Sequence, residues 1–577
     1  MSRQRWPVRP PESAVDEAHA AQAHGLGDRV TVVDDGSREP EGRDGTANRG
    51  SVKIPDRVQP RVRHNDYSVL QPPPLGGWTP TLDVSVVIPA FGETEKLHLV
   101  LAALAAQTYP AHLLEVVVVD DGSDPPLTLP EIRPENTRIV PTAPGLWGSA
   151  NAVNTGAAAS DGSVILRLDS DMLVYSDHVE SQLRWQHIAD YLAVLGHKMF
   201  PEFVPGLLTP QRTYEAVRGG RAAELFDRER AGAHWVEQVI DRTDRLRSAG
   251  SSAYCVFVGA TGSVHRDLFD AVGGMDPALI LGGDTELGYR LAQAGAVFVP
   301  DLDSSSWHLG NSQMRLRRES GARYRHPFVS NRVPLFRERR KIHGRQWSVP
   351  YIDVIIDSGG HRLEDVRVTA DRVLAGDMSD IRVFLVGPWA TLGASPRTPL
   401  DDPELDLRLL RETYRGESRV RFVDEPPGID RSVPFRLTLP AGSLPTPRAL
   451  RVVTDTAEAE EAGLVSVVLP HAKSTAAPHS RLERTAAFAR ARHLGATEAD
   501  IDRVVGEIYG VHWMDWAGSF VDDPAHDGPA VPCDWQAELR KAQLEAKRQR
   551  ARADRLERKL RWLRRLRTPE IWRRVFR

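Results

Sequence analysis

The chain has 577 residues, too many for one ordinary hydrophobic core, which predicts at least two domains. An apolar share of 41% and a charged share of 26% are typical of a soluble globular protein, and a net charge of −4 gives no general attraction to nucleic acid. Two distant cysteines, Cys255 and Cys533, argue against a disulfide framework or a cysteine zinc site. Residues 1–11 lack the apolar segment of a secretory signal and no run of about 18 apolar residues occurs, so we expect a cytoplasmic protein without membrane spans.

Residues 1–80 hold ten prolines and eight glycines without a sustained hydrophobic period, which predicts a disordered leader. From residue 84 onward, continuous Val/Ile runs alternate with helical patterns. Such alternation indicates parallel strands covered by helices on both faces, and it predicts an α/β domain over 81–330. The expected strands are 84–89, 115–119, 164–168, 254–258 and 297–299, and the expected helices are 94–107, 149–159 and 284–294.

The second half of the chain looks like a repeat of this start. Residues 354–357, 383–387 and 437–442 match 86–89, 116–120 and 166–171 at offsets of 267 to 271 residues. These near-equal offsets predict a second, degenerate α/β domain over 331–520 with a helical end. The alternative is that any two α/β domains share a strand rhythm. In either case, Pro440-Ala441-Gly442 stands where the first half has an acidic cluster.

Residues 521–577 are predicted to form a linker and a basic helix. The last 43 residues contain 16 basic and five acidic side chains, and Leu556, Leu560 and Leu563 recur at helical spacing. Arginines interleaved with tryptophan and aliphatic residues favour an amphipathic helix that holds the protein peripherally on an anionic membrane surface, at the inner face of the cell membrane. A coiled coil that mediates self-association is the alternative.

Acidic residues follow the second and third predicted strands. In open α/β sheets, ligands bind beyond the carboxyl ends of the strands, where Asp120 and Asp121 could accept hydrogen bonds from a ribose or a base. An Asp-Gly turn is the simpler interpretation of that pair. Asp169 and Asp171 alternate along an extended segment and can face one point. One can ligate Mg²⁺ or Mn²⁺ while the other holds the ribose or a metal-bound water.

Two residues further along the chain complete this candidate site. Asp284 heads a predicted helix, where it can serve as an N-cap, as a general base for a sugar hydroxyl, or as both. His308 follows a predicted strand and offers an imidazole to the metal, although a single histidine is more often structural.

Taken together, these motifs resemble glycosyltransferase family 2, the inverting enzymes with the GT-A fold, over about 84–315. The resemblance rests on residues 87–90, 120–123, 154–156, 169–171, 273–276 and 284–287 in this order. It implies that Pro89, Ala90, Glu93, Asp121 and Ser170 contact the nucleotide, that Asp171 and His308 hold the metal, and that Asp284 is the base. Gly262, Glu286 and Trp307 are expected on the acceptor side.

The sequence departs from the family pattern in two places. Gly283 stands where the family usually has an acidic residue before the base, and the Gln-x-x-Arg-Trp signature of processive synthases is missing from the catalytic half. Non-processive transfer, or processivity by another route, is therefore expected, and the resemblance is to the bacterial, non-processive type.

The predicted function is inverting transfer of a sugar from a nucleotide-diphosphate donor to a glycan or lipid-linked acceptor, in the synthesis of a cell-surface polysaccharide or glycopolymer. Two alternatives belong to other classes. A nucleotidyltransferase would need a Gly-rich phosphate loop with a basic residue after the first strand, and residues 89–93 are not one. A non-catalytic carbohydrate-binding or scaffold protein would not need Asp169, Asp171, Asp284 and His308. Nucleic acid is not an expected partner.

Overall fold

The computed structural model describes residues 58–521 with the exception of 260, 312–315, 343, 394–396 and 470–478. The described residues form two large mixed sheets and one small sheet. The α/β class is confirmed. The linker and basic helix expected over 521–577 lie outside the described residues except for Val521, as does the leader before residue 58.

The first large sheet has seven strands within this described region, in the order β10-β6-β9-β4-β1-β2-β3. A smaller sheet has four strands in the order β5-β11-β7-β8. Along the chain, its strands are interspersed with those of the large sheet. The strands are β1 (Val84–Ala90), β2 (Leu114–Asp120), β3 (Thr137–Pro141), β4 (Val164–Leu168), β5 (Met172–Val174), β6 (Leu192–Gly196), β7 (Met199–Phe200), β8 (Gly232–Ala233), β9 (Thr261–His265), β10 (Val297–Asp301) and β11 (Ser306–His308).

The second large sheet also has seven described strands, in the order β14-β13-β12-β15-β17-β16-β18. These are β12 (Ile352–Asp357), β13 (Ile381–Val386), β14 (Val420–Val423), β15 (Phe435–Leu439), β16 (Leu464–Val468), β17 (His479–Arg484) and β18 (Val511–Asp515).

The two large sheets have the same topology. In each, the first four strands in chain order are parallel and lie in the spatial order third, second, first, fourth. The sixth strand then pairs antiparallel with the fourth and with the fifth, and the seventh runs parallel to the fifth. Since seven strands repeat in order and direction, the repeat is one of architecture and not only of strand rhythm.

Helices cover the sheets on both faces. The α-helices are α1 (Thr94–Ala105), α2 (Ser149–Ala158), α3 (His178–Gln186), α4 (Pro210–Arg218), α5 (Trp235–Arg242), α6 (Arg266–Ala271), α7 (Gly283–Gln293), α8 (Arg318–Arg332), α9 (Leu363–Leu374), α10 (Leu405–Thr413), α11 (Ala449–Ala459), α12 (Thr485–His493) and α13 (Ile501–Ile508). Among these described helices, none combines the length and apolar character needed to cross a bilayer.

The core lies on both sides of β1, as a continuous apolar run predicts. Val86 and Ile88 are fully buried in one hydrophobic cluster together with α1, whereas Val87 is fully buried in another that contains α2 and α7 residues. Alternate residues of a strand point to opposite faces, so this strand is covered on both sides and its carboxyl end emerges at one edge of the sheet.

Residues 58–80 correct the predicted disorder in that part of the leader. Val62, Tyr67 and Leu70 are buried together with residues of β6 and β10. The Asn65 side chain donates to the backbone oxygens of Leu246 and Phe298 at 3.0 and 2.9 Å. Residues 58–80 are thus ordered by contacts with distant segments, and no local hydrophobic period predicts their structure.

Two further expectations are wrong in detail. Residues 254–256 of the strand expected over 254–258 belong instead to a 3-10 helix, Gly250–Val256. This helix packs closely on α7, since a Cβ on Gly288 would lie 2.9 Å from the Tyr254 carbonyl oxygen. The N-cap of α7 is Gly282, whose φ of 91° suits glycine, and Asp284 lies within the first turn of the helix. The N-cap interpretation of Asp284 is therefore excluded.

Candidate active site

The carboxyl ends of β1 and β2 bring the first group of candidate residues together. Parallel pairing places Pro89 opposite Val119 and Ala90 opposite Asp120, and the Asp121 N–H donates to the Ala90 carbonyl at 2.9 Å. Ala90 is buried and Pro89 is half-buried. The backbone of this edge is therefore a fixed platform.

Asp120 and Asp121 hold the loops above this platform. The Asp120 carboxylate accepts hydrogen bonds from the Ser123 and Leu127 N–H groups at 2.8 and 3.1 Å. Although burial acts in the opposite direction, the hydrogen bonds from Ser123 and Leu127 lower the pKa of Asp120. Asp121 accepts from the Thr142 hydroxyl at 2.9 Å and from the Gly148 N–H at 2.7 Å. The turn interpretation holds for Asp120, and Asp121 orders the entrance to α2.

A three-residue cluster follows the carboxyl end of β4. One ligand atom each from Asp169, Asp171 and His308 can be chosen so that all three lie within 4.8 Å of one another. His308 Nδ1 lies 3.5 Å from Asp171 Oδ2. Antiparallel pairing of β11 with β5 puts His308 opposite Met172, and the Leu309 N–H donates to the Asp171 carbonyl at 2.8 Å. Backbone pairing therefore brings together residues that are far apart in the chain.

The electrostatics of this cluster suit a divalent cation. Burial lowers the pKa of His308 to about 4, which keeps the imidazole neutral as a metal ligand requires. Burial and the neighbouring Asp169 carboxylate raise the pKa of Asp171 to about 7, because two carboxylates share a poorly solvated space. His308 Nδ1 is buried and makes no hydrogen bond to the residues that the structure describes. These three residues fit a hard cation such as Mg²⁺ or Mn²⁺.

Polar groups surround the cluster on two sides. Ser170 lies between Asp169 and Asp171 in the sequence and is half-buried. Glu93, at the start of α1, is 57% exposed and pairs with Lys96 at 2.7 Å. Lys198, which follows β6, is buried with its Nζ 3.5 Å from the Val258 carbonyl oxygen. Burial lowers the pKa of Lys198 to about 8, and the Asp169 charge acts against that shift. Lys198 is therefore a buried basic residue near Asp169, and the sequence analysis did not identify it.

Arg167 connects the cluster of Asp169, Asp171 and His308 to Asp284, the predicted base. Its guanidinium forms an ion pair with Asp284 and lies 3.3 Å from Asp169 Oδ1. Arg167 is mostly buried and half-exposed Asp284 reaches it from the first turn of α7. One guanidinium therefore holds Asp284 near Asp169, which follows β4. Sequence analysis missed Arg167, although an arginine two residues before Asp169 in an apolar strand shares its face and is a usable signal.

Gly259 makes room for this ion pair. A Cβ at position 259 would overlap the Arg167 guanidinium and the Asp284 carboxylate. Glycine is the residue that permits such a close approach of backbone to side chains. The site therefore depends on a residue with no functional group of its own.

The structure does not bring the three acceptor-side residues to an accessible surface. Gly262 is buried within β9 between β4 and β6. Glu286 is buried and accepts two hydrogen bonds from Arg290, at 2.5 and 2.6 Å. Trp307 has no exposed surface and donates from Nε1 to the Ala222 carbonyl at 2.8 Å. Trp307 precedes His308 and Glu286 lies two residues after Asp284, yet both side chains are buried.

Comparison with known proteins finds a family match over part of the chain. Residues 85–247 match the family model for glycosyl transferase family 2. The pre-mycofactocin glycosyltransferase of Mycobacterium tuberculosis is 29% identical over 250 residues, which are 43% of this chain and 47% of that protein. Glycosyltransferase AglE of Haloferax volcanii is 28% identical over 221 residues, 37% of this chain and 62% of that protein. The chain spans about half the length of the first of these relatives.

Two solved structures are similar to part of the chain. The mannosyltransferase PcManGT from Pyrobaculum calidifontis, in complex with GDP-Man and Mn²⁺, is 19% identical with a TM-score of 0.29 and covers 44% of this chain and 67% of its own. TarS from S. aureus is 15% identical with a TM-score of 0.28 and covers 43% and 40%. These scores are too low for a comparison of sites. Residues 85–247, which include Asp121, Asp169 and Asp171, are the part of the chain that matches glycosyltransferase family 2.

Proposed function

We propose that this protein is an inverting, metal-dependent glycosyltransferase that moves a sugar from a nucleotide-diphosphate donor to an acceptor hydroxyl. The observation that carries the proposal is one connected group. Asp169, Asp171 and His308 form a cluster of metal-ligand geometry, and Arg167 joins Asp169 to Asp284. A metal site and a base side by side are what displacement of a diphosphate by a hydroxyl requires.

The donor side is assigned to the edge formed by β1, β2 and β4. Asp171 and His308 would hold Mg²⁺ or Mn²⁺, which when bound neutralises charge on the diphosphate leaving group. The platform of Pro89, Ala90 and Asp121 supports the nucleoside. Glu93 and Ser170 border the same space.

The acceptor side is assigned to Asp284. In a single displacement, the acceptor oxygen bonds to the anomeric carbon, the bond from that carbon to the diphosphate breaks, and Asp284 takes the hydroxyl proton. Attack from the face opposite the leaving group inverts the anomeric configuration. Arg167 fixes the Asp284 carboxylate in place, so the base does not need to be ordered when the acceptor arrives.

Wider roles extend this proposal. We assign the enzyme to the synthesis of a cell-surface polysaccharide or glycopolymer on a glycan or lipid-linked acceptor, in the cytoplasm or peripherally at the inner face of the membrane. The second sheet would serve acceptor recognition or self-association, since Pro440-Ala441-Gly442 has no metal-ligating side chain after β15. The positive charge of residues 535–577 supports the membrane assignment.

The test is a panel of nucleotide-sugars with the full-length protein and Mn²⁺ or Mg²⁺. We expect release of a nucleoside diphosphate from one donor class, suppressed by chelator, and a product whose anomeric configuration is opposite to that of the donor by NMR. Release of pyrophosphate from a nucleoside triphosphate and a sugar phosphate would instead identify a nucleotidyltransferase. Donor binding without turnover over a broad acceptor panel would favour a binding protein.

A further inference from the structure

Arg325 lies beside the loop that carries Asp284. A Cβ on Gly282 would lie 2.7 Å from both Cγ and Cδ of Arg325 and 2.8 Å from Cγ2 of Val329. Gly282 is the N-cap of α7 and precedes Asp284 by two residues. The aliphatic stem of Arg325 therefore rests directly on the entrance to the helix of the proposed base.

The position of Arg325 is fixed by the packing of α8. Val329, one turn further along α8, is buried in the same core cluster as Leu287 and Tyr289 of α7. Near the end of α8, Arg332 forms an ion pair with Asp276, in the loop that leads to Gly282. The guanidinium of Arg325 thus belongs to an anchored helix.

Arg325 and Arg339 lack a carboxylate partner among the residues that the structure describes. The Nε of Arg325 is buried without a hydrogen bond. Burial lowers the pKa of Arg325, and burial followed by the Arg325 charge lowers the pKa of Arg339. The Arg339 guanidinium lies 4.7 Å from the centre of the Phe336 ring. Two like charges are therefore half-buried and repel each other.

Other arginines in this region do pair with carboxylates, unlike Arg325 and Arg339. Arg332 pairs with Asp276, while Arg337 and Arg340 pair with Asp380 at 2.8 and 3.2 Å. The adjoining segment 312–315 has the sequence Ser-Gln-Met-Arg and position 343 is His, so neither adds a carboxylate by composition. Three arginines here pair with a carboxylate, whereas Arg325 and Arg339 pair with none among the residues that the structure describes.

A partly buried, uncompensated charge costs free energy, and the stem of Arg325 packs on the loop that precedes the proposed base. Guanidinium groups match phosphate oxygens through paired N–H donors. His326 adds a third donor, and burial together with the charges of Arg339 and Arg325 lowers its pKa. Binding of an anion would relieve the repulsion between Arg325 and Arg339.

We infer that Arg325 and Arg339, with His326, bind a phosphate or diphosphate group of the acceptor and so hold its hydroxyl near Asp284. This inference rests on the proposed function. The same chemistry would bind a phospholipid head group, and the test below separates the two sources.

The test compares full-length wild type with the double variant R325Q/R339Q. The matched control is R318Q/R323Q, which removes two exposed arginines of the same helix. Inorganic pyrophosphate is titrated by calorimetry in chelator, so that no metal at Asp171 can hold it. We expect wild type and control to bind alike, and the double variant to bind about tenfold more weakly or worse. R325K/R339K keeps the positive charges but not the paired N–H donors of the guanidinium groups. Its pyrophosphate affinity should lie between those of wild type and R325Q/R339Q, and it replaces the glutamine variant if that variant does not fold.

Vesicle sedimentation separates the acceptor from the membrane. We expect wild type and R325Q/R339Q to sediment equally with phosphatidylglycerol vesicles. Equal pyrophosphate affinity in wild type and double variant, or loss of vesicle binding with pyrophosphate affinity unchanged, overturns the inference. Donor binding with Mn²⁺ is measured on the same proteins and should not differ. Wild type that binds no nucleotide-sugar would refute the proposed function, while the pyrophosphate result would still decide whether the anion site exists.

Discussion

Arg167 and Asp284 form an ion pair across 117 residues of chain. Arg167 belongs to β4, which leads directly into Asp169 and Asp171, whereas Asp284 belongs to the first turn of α7. The pair thus joins the proposed donor side to the proposed acceptor side. Arg167 also lies 3.3 Å from Asp169, so the same guanidinium contacts a carboxylate on each side of the site.

The first prediction concerns Asp284 as the base. Asp284→Asn keeps the shape of the side chain but cannot take the acceptor proton. We expect transfer to fall by a factor of about 10² or more, while donor binding with Mn²⁺ is preserved. Transfer is measured as nucleoside diphosphate release, and donor binding by calorimetry on the same preparation. Near wild-type transfer would leave Asp284 as an ion-pair partner of Arg167 only.

The second prediction concerns Gly259. Gly259→Ala forces the Arg167 guanidinium and the Asp284 carboxylate to move, because the new Cβ would overlap both. We expect transfer to fall at least about tenfold, since a misplacement near 1 Å already costs this much or more. The matched control is Gly393→Ala, where nothing lies within 4 Å of the new Cβ. Equal activity of the two variants would show that the Arg167–Asp284 geometry is not needed.

The strand ends were predictable from the sequence because parallel strands deliver their carboxyl ends to one edge. Asp121, Asp169 and Asp171 follow buried Val/Ile runs, so their proximity needs only the sheet rule. His308 was expected because it follows the strand predicted over 297–299, but it is placed by antiparallel pairing of β11 with β5, which the sequence analysis did not predict.

Other features depend on contacts that no local pattern carries. Asn65 is ordered by Phe298, 233 residues away, so residues 58–80 look disordered when read alone. The ion-pair partner of Arg167 is supplied by a distant helix in the same way. Trp307 and Glu286 adjoin site residues in sequence, yet a strand or helix turns successive side chains to different faces and buries these two.

The third prediction concerns the number of donor sites. After β4 the first sheet has Asp169 and Asp171, and after β15 the second has Pro440, Ala441 and Gly442. We expect one nucleotide-sugar per chain with Mn²⁺, and no metal-dependent binding after Asp171→Ala. Calorimetric stoichiometry gives the answer, and circular dichroism checks that the variant is folded. A stoichiometry of two, or residual metal-dependent binding in the variant, would assign a donor site to the second sheet.

The fourth prediction concerns the pH dependence of stability through Glu237. Burial raises the pKa of Glu237 to about 7, and the Lys198 charge acts in the opposite direction. The folded protein therefore holds a proton that the unfolded chain releases above its pKa of 4.5. This contribution to stability is present below pH 4.5 and is lost as the pH rises through about 7. Its full size is at most about 3 kcal/mol.

Glu237→Gln removes this titration. We expect the urea midpoint of wild type to fall relative to that of the variant between pH 5 and pH 8. Asp303→Asn, at a side chain that is 62% exposed, is the control and should follow wild type. Parallel pH profiles for wild type and Glu237→Gln would mean that Glu237 ionises normally in the folded protein.

The last prediction concerns Arg490, which joins the two halves of the described chain. Arg490 is 2% exposed and lies in α12, beside the second sheet. Its guanidinium donates to the carbonyls of Gly295 and Ala296 at 2.7 and 3.0 Å, and to those of Val62 and His64 in the segment before β1. One side chain therefore satisfies carbonyls from two segments that precede β10 and β1.

Arg490→Met retains most of the apolar stem but leaves these buried carbonyls without a donor. Each unsatisfied buried group costs about 1–3 kcal/mol, so we expect the free energy of unfolding to fall by about 3–5 kcal/mol. Arg492→Met is the control, because Arg492 is 41% exposed and pairs with Glu498 at 3.1 Å, a contact worth at most about 1 kcal/mol. Urea denaturation followed by tryptophan fluorescence measures both. Equal midpoints for the two variants would show that the sheets are held together without Arg490.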